Sequence, residues 1–306
     1  MDLITVGLVL TAAVFHTAWN AIAKGTGLSL ATLWCALALS SLLGMPYFLA
    51  TAEAVSTRGM VLLGVSACIH SAYFYTLARA FAAGPLSLVY PLARGGSIGI
   101  AALGAVIWLG ELPSVLGSLG IAVVILGVLA VAQGNNGTVT ASAGRSGPDD
   151  SDSGAASSRA SLPFRKGPVL FWSLLSAVLI AGYSLVDKVA LNHFSPLRFM
   201  IAMVGGTCLV MSPYMLARQR SAISAVVRRY AWRILAIAVA YYLAYGLVLV
   251  AFERALAGYV VASREVSVVL SLALGWFTLG ERPGPLRWLG ALLIVGGIAL
   301  FSLSGR

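Results

Sequence analysis

Charged side chains are scarce in this sequence, and their scarcity excludes most soluble folds. Asp, Glu, Lys and Arg make up 10% of the 306 residues, against about 25% in soluble globular chains. Hydrophobic residues make up 59%, compared with roughly 45–50% in soluble proteins. A soluble protein of this composition would lack the polar side chains needed to cover its surface. The composition therefore predicts an integral membrane protein.

Cysteine and histidine are also rare, at three residues each. Cys35, Cys68 and Cys208 lie in apolar stretches at spacings that fit neither a disulfide framework nor a metal site. We interpret them as packing residues. The sequence also lacks the signature motifs of metalloproteases, serine hydrolases and phosphate-binding loops. We therefore expect no cofactor, no metal and no enzymatic activity.

Basic residues exceed acidic residues, with 20 Lys and Arg against 10 Asp and Glu. The basic residues are scattered among short loops, so we attribute them to orientation in a bilayer and expect no nucleic acid partner. Most of them lie in loops that follow odd-numbered spans. The positive-inside rule would then place both termini outside the cell. We expect only that both termini lie on the same side of the membrane.

Apolar stretches of about 20 residues, the length that crosses a bilayer, predict ten transmembrane helices. The predicted spans are residues 3–23, 28–50, 59–79, 86–109, 114–132, 168–190, 196–217, 231–252, 256–279 and 286–304. A polar segment rich in Gly, Ser, Ala and Asp separates the first five spans from the last five, and such a segment cannot bury enough apolar surface to fold. We expect an all-α membrane protein with a first five-helix repeat (1–132), a flexible linker (133–166) and a second five-helix repeat (167–306).

The two groups of five spans carry matching residues at one constant offset. The matched pairs are Arg94 and Arg264, Ser97 and Ser267, Glu111 and Glu281, Pro113 and Pro283, Gly120 and Gly290, and Gly127 and Gly297. Coincident charged residues, prolines and glycines indicate an internal duplication. Because each copy has an odd number of spans, the second copy is inverted relative to the first. Many transporters with this arrangement bind their substrate near the membrane midplane, between the copies.

Polar side chains inside the predicted spans are the candidate substrate-binding residues. They are His16, Asn20, His70, Tyr73, Arg94, Tyr183, Asp187, Tyr245, Arg264 and Glu265. Ionisable groups within a bilayer are costly and usually face the bundle interior or a water-filled cavity. Satisfied structural pairs or headgroup anchors would also account for individual members. One such pair is Glu265 with Arg94, since the adjacent Arg264 and Glu265 cannot face each other on a helix.

The fourth and ninth predicted spans end in Leu-Gly-Glu before a turn that contains proline, and three longer motifs occur at His16 to Asn20, Leu86 to Gly95 and Arg264 to Val268. In these motifs the sequence resembles the EamA-type transporters of the drug/metabolite transporter superfamily. The resemblance implies movement of a small metabolite across the bacterial inner membrane, often export of amino acids or related compounds. It also implies cytoplasmic termini, which conflicts with the distribution of basic loop residues.

We therefore hypothesise a secondary transporter that works by alternating access. Arg94 and Arg264 would hold a carboxylate or another substrate anion, and Asp187 or Glu265 would take up a proton if transport is proton-coupled. The tyrosines at positions 73, 183 and 245 would shape the pocket. The expected partners are a small-molecule substrate and the lipid bilayer, with the protein acting as a monomer or a homodimer.

Two alternatives remain open from the sequence. The first is a flippase for a lipid-linked intermediate, which requires a lateral opening between helices. The second is a membrane-embedded enzyme that uses His16, His70 and Asp187, which requires all three side chains within hydrogen-bond reach of one another.

Overall fold

The computed structural model describes residues 1–24, 26, 30–51, 54–83, 86–133, 166–279 and 284–303. Apart from its two end residues, the predicted linker 133–166 lies outside this part of the chain, as do Glu281 and Pro283 of the repeated motif. The described residues form helices joined by short connections. The helices are α1 (Leu3–Lys24), α2 (Leu30–Ala50), α3 (Thr57–Ala83), α4 (Leu86–Leu109), α5 (Val115–Gln133), α6 (Lys166–Ala190), α7 (Pro196–Arg218), α8 (Arg220–Arg254), α9 (Ala257–Ser263), α10 (Val266–Leu279) and α11 (Pro285–Leu303).

The predicted all-α membrane fold is confirmed. Within the described ranges, nine segments are long and apolar enough to cross a membrane, and the α9–α10 pair counts as one of them. Helix α5 carries a somewhat shorter apolar stretch, Val115–Val131. Nine of the ten predicted spans each coincide with one helix of the described residues, because a run of about 20 apolar residues specifies a spanning helix.

The ninth predicted span is not one continuous helix. It divides into α9 and α10, and Arg264 and Glu265 stand at the junction. The amide of Glu265 bonds to the carbonyl of Ala262 at 3.1 Å, and the amide of Ser267 bonds to the carbonyl of Arg264 at 3.1 Å. These bonds between residues three apart tighten the backbone into a 3₁₀-like turn, a feature that often marks a functional hinge. The prediction of a single helix over 256–279 was wrong at this point.

The eighth span begins earlier than its apolar run predicts. Helix α8 starts at Arg220 and changes direction at Tyr230, whose backbone angles are φ −129° and ψ 25°. The segment before the break is amphipathic, since Ala222, Ile223 and Val226 pack toward the protein while the arginines are exposed. A search for long apolar runs does not detect this short amphipathic segment, because its apolar residues are interrupted by polar ones.

The helix contacts link the two halves reciprocally. Helix α1 packs on α8 and α3 packs on α6, while α2 packs on α7 and α5 packs on α11. At the α5–α11 contact, a methyl group added to Gly120 would lie 2.6 Å from the carbonyl oxygen of Gly297. A methyl group on Gly127 would lie 2.7 Å from the carbonyl oxygen of Gly290. The two helices therefore approach so closely that only glycine fits at these positions.

Candidate functional site

A cavity lined by aromatic, small apolar and a few polar side chains lies at the centre of the bundle, between α1, α3, α6 and α8 and beside the α9–α10 junction. The cavity volume is about 30 Å³, room for a few water molecules at most. Its lining residues are Ala12, Ala13, His16, Trp19, His70, Tyr73, Phe74, Tyr183, Tyr241, Ala244, Tyr245, Val248 and Arg264. Since these residues come from both halves of the chain, the cavity exists only where the halves meet.

Aromatic rings form most of the cavity wall. The rings of His70 and Tyr183 stack with their centroids 4.0 Å apart. The rings of Tyr241 and Tyr245, four residues apart on α8, lie nearly parallel with their centroids 6.2 Å apart. Trp19 of α1 meets Tyr241 edge to face at 5.9 Å. Interlocked aromatic rings give the cavity a rigid shape and π-faces that attract cations.

Arg264 is the charged side chain in the cavity lining. It is 8% exposed, and its guanidinium carbon lies 5.8 Å from the ring centroid of Tyr245. Its Nη1 atom is buried and has no hydrogen-bond partner among the described residues. A guanidinium with an unused donor in a cavity can bind a carboxylate or a similar anion.

Arg94 lies outside the cavity lining and is neutralised by Glu265. The Nε atom of Arg94 is 3.2 Å from Oε1 of Glu265, and both side chains are buried. The Nη2 atom of Arg94 also lies 3.3 Å from the hydroxyl of Ser267 and 3.5 Å from Nε2 of His16. The pairing of Arg94 with Glu265, one of the options left by the sequence, is therefore present. It joins α4 of the first half to the α9–α10 junction of the second.

Asp187 lies behind the cavity wall and is fully buried. The hydroxyl of Ser66 donates a hydrogen bond of 2.5 Å to one carboxylate oxygen, and the hydroxyl of Tyr245 donates to the other. Nε2 of His70 lies 3.8 Å from the carboxylate. His70 and Tyr245 also line the cavity. The two side chains therefore stand between Asp187 and the space where a ligand would bind.

Comparison with known proteins identifies the second half of the chain. Residues 167–303 match the EamA-like transporter family. The second half of the chain is thus similar to an EamA domain. The resemblance noted from the sequence is confirmed by this match, and the domain together with the apolar helices supports a multi-pass membrane transporter.

A solved structure shares the fold of the whole chain, including the half that precedes the EamA domain. Its title describes it only as the crystal structure of a protein; the TM-score is 0.73, over 99% of this chain and 98% of that chain, at 16% sequence identity. A search of curated proteins returned no match. The structural likeness shows the fold alone.

The predicted site residues divide into those that line the cavity and those behind it. The lining includes His16, His70, Tyr73, Tyr183, Tyr245 and Arg264, whereas Asn20, Arg94, Asp187 and Glu265 are not among the described lining residues. Asn20 instead donates a hydrogen bond of 2.7 Å to the backbone carbonyl of His16. Three aromatic lining residues were not predicted, Trp19, Phe74 and Tyr241. Helical spacing was the available signal, since Trp19 follows His16 by three residues and Tyr241 precedes Tyr245 by four.

The geometry that the enzyme alternative requires is not assembled in the described residues. His70 lies against Asp187, but His16 contacts other groups. Nδ1 of His16 accepts a hydrogen bond of 3.2 Å from the indole of Trp19, and its Nε2 faces Arg94.

Glu111, from the repeated Leu-Gly-Glu motif, holds helix ends together. One of its carboxylate oxygens accepts a hydrogen bond of 2.6 Å from the backbone amide of Ala257, the first residue of α9. The other forms an ion pair with Lys188 near the end of α6. Glu111 therefore both caps α9 and forms an ion pair with a lysine of α6, and it thereby fixes the start of the span that carries Arg264.

Proposed function

We propose that the protein is a secondary transporter that moves a small organic anion or zwitterion across the bacterial inner membrane, in the export direction, by alternating access. The observation that carries the proposal is the buried guanidinium of Arg264, with an unused donor, beside a central aromatic cavity. A buried cation in a membrane protein costs free energy and is usually kept for binding or conduction.

The charges around the cavity favour an anionic group on the substrate. The carboxylate of Glu265 neutralises Arg94, so Arg94 does not need a substrate to balance its charge. The carboxylate of Asp187 receives hydroxyl donors from Ser66 and Tyr245 on its two oxygens. Arg264 thus offers the strongest site for a carboxylate, and the aromatic faces would hold an ammonium group of a zwitterion by cation–π attraction.

The internal duplication supplies a way to alternate access. We infer that residues 1–132 and 167–306 form inverted copies joined by a linker at 133–166. The reciprocal contacts between the halves, together with the paired glycines of α5 and α11, support this arrangement. Rocking of one copy against the other would open the central cavity to each side in turn.

Asp187 is the better candidate for a coupling proton if transport is proton-driven. Glu265 is held by an ion pair with Arg94, and a proton there would leave a buried arginine without its counter-charge. Asp187 has hydroxyl partners and is linked to the cavity through His70 and Tyr245. Protonation of Asp187 would weaken its bond from Tyr245 and thereby change the cavity wall.

A binding screen tests the proposal. Purified protein would be heated with each member of a panel of amino acids, monocarboxylates and phosphonates, and the Tm recorded by tryptophan fluorescence. We expect at least one acid to raise the Tm of the wild type and of Arg79→Gln, a control at an exposed helix end, but not of Arg264→Gln. Acids that stabilise Arg264→Gln as well as the wild type would contradict the assignment.

A further inference from the structure

Helix α8 is too long for a bilayer. Its 35 residues would extend about 52 Å at 1.5 Å per residue, whereas the hydrocarbon layer is about 30 Å thick. The break at Tyr230 divides it into a segment that ends at Arg229 and an apolar helix of spanning length. The first segment must therefore lie outside the hydrocarbon, at the membrane surface where α7 ends.

This surface segment concentrates positive charge. We define the arginine segment as residues 218–233, which are this surface segment with the end of α7 before it and the first residues after the Tyr230 break; it contains Arg218, Arg220, Arg228, Arg229 and Arg233. The sequence has no acidic residue between Asp187 and Glu253 to offset them. The first four arginines are exposed, whereas Ala222, Ile223 and Val226 face the protein. The charges are thus presented on the outer face of a helix packed against the bundle.

Aromatic residues fix the depth of the arginine segment. The indole of Trp232 is 65% exposed, and Trp and Tyr side chains favour the headgroup level of a membrane. The guanidinium of Arg233 lies 5.4 Å from the ring centroids of both Trp232 and Tyr230, and that of Arg229 lies 5.4 Å from Tyr230. These contacts tie the guanidinium groups of Arg229 and Arg233 to rings of the type that favours the headgroup level.

We infer that the arginine segment is a binding site for the phosphodiester headgroups of anionic phospholipids in the surrounding bilayer. Clusters of four to eight basic residues on an amphipathic helix bind anionic lipid surfaces, each contributing roughly fivefold to affinity. The site is separate from the central cavity. It is nevertheless connected to it, because α8 continues beyond Tyr230 to the cavity residues Tyr241 and Tyr245.

Quenching by brominated lipid tests the inference on the whole protein. Two sets of vesicles would contain phosphatidylcholine and phosphatidylglycerol. In one set the phosphatidylcholine is brominated and in the other the phosphatidylglycerol, with the brominated lipid at the same mole fraction in both. The part of the emission that disappears in Trp232→Phe reports the lipids beside the arginine segment. We expect stronger quenching by brominated phosphatidylglycerol than by brominated phosphatidylcholine. We also expect the preference to fall by roughly 25-fold in Arg228→Gln/Arg229→Gln, about fivefold for each arginine.

A matched control removes the same charge from the opposite end of the bundle. Arg58→Gln/Arg254→Gln should keep the preference of the wild type. If the Arg228/Arg229 variant fails to fold, the wild type alone still tests the inference. In the wild type, 0.5 M sodium chloride should abolish most of the preference for brominated phosphatidylglycerol. Equal quenching by the two lipids, or a preference that survives in the Arg228/Arg229 variant or in salt, would overturn the inference. Inorganic phosphate that displaces the lipid more strongly than chloride does at equal ionic strength would also overturn the inference.

Discussion

Arg94 of α4 and Glu265 of the α9–α10 junction form a buried ion pair, with Nε and Oε1 3.2 Å apart. The pair connects the first half of the chain to the break beside Arg264. Under the proposed function, the pair occupies a carboxylate that would otherwise compete with a substrate anion for Arg264. Of the two arginines that match in the sequence, Arg264 lines the cavity and Arg94 does not.

The first prediction concerns this ion pair. Glu265→Gln leaves the charge of Arg94 buried without its partner, and such a loss typically costs about 3–5 kcal/mol. We expect the Tm in detergent to fall by roughly 5–10 °C. The double variant Arg94→Gln/Glu265→Gln, which lacks both charges, should lose less than the sum of the two single variants. Additive losses would show that the two side chains do not act as a pair.

The second prediction compares adjacent glycines on α11. A methyl group at Gly297 would lie 2.6 Å from the carbonyl oxygen of Gly120, whereas a methyl group at Gly296 has no neighbour within 4 Å among the described residues. Gly297→Ala should destabilise the protein by about 1–3 kcal/mol through overpacking. Gly296→Ala should be neutral or slightly stabilising, because alanine favours the helix. Thermal unfolding of both variants measures the difference, and equal Tm values would contradict the close approach of α5 and α11.

The third prediction concerns closure at the end of the bundle that carries the termini. Glu111 caps α9 at Ala257 and pairs with Lys188, so Glu111→Gln should weaken the closed state. In a protein without its native cysteines, Ala244→Cys places a thiol in the cavity lining. We expect Glu111→Gln to raise the rate at which a membrane-impermeant thiol reagent labels that cysteine from the terminal side. Glu253→Gln, which removes an exposed carboxylate at the same end, should leave the rate unchanged.

Labelling that is equally fast in the Glu111 and Glu253 variants would contradict this role for Glu111. Faster labelling from the opposite side only would contradict it as well.

The fourth prediction separates proton coupling from substrate binding. Asp187→Asn cannot take up a proton, so accumulation driven by a pH gradient should be lost while exchange of substrate across the membrane continues. Ser66→Ala removes one hydrogen-bond donor to Asp187 but keeps the acid, and should retain coupling. Flux measurements in vesicles with and without a pH gradient distinguish the Asp187→Asn variant from the Ser66→Ala variant. An Asp187→Asn protein that responds to the gradient like the wild type would place the coupling site elsewhere.

The sequence predicted the spanning helices well because long apolar runs carry that information by themselves. It did not predict the break at Arg264, since the apolar pattern continues through residues 256–279 on both sides. It also gave no sign that residues 220–229 are helical, because a segment of this length is specified by packing of Ile223 and Val226 against the bundle. Both features depend on tertiary contacts.

Six of the ten polar residues predicted for the site line the cavity, but the sequence did not indicate which six. Both Arg94 and Arg264 are arginines within predicted spans, so residue type does not distinguish them. Only the rotation and depth of their helices determine that Arg94 pairs with Glu265 and that Arg264 lines the cavity. Tyr241 escaped prediction for the same reason. It lies on the face of α8 that carries Tyr245, and Trp19 of α1 packs against it only in the folded bundle.

Counterflow transport in vesicles tests the central claim most directly. Vesicles loaded with an acid that stabilises the protein would be diluted into a trace of the same labelled acid, and uptake compared for wild type, Arg264→Gln and Arg79→Gln. The account predicts rapid uptake by wild type and Arg79→Gln, and a loss of at least tenfold in Arg264→Gln. Uptake by Arg264→Gln at the wild-type rate would contradict it.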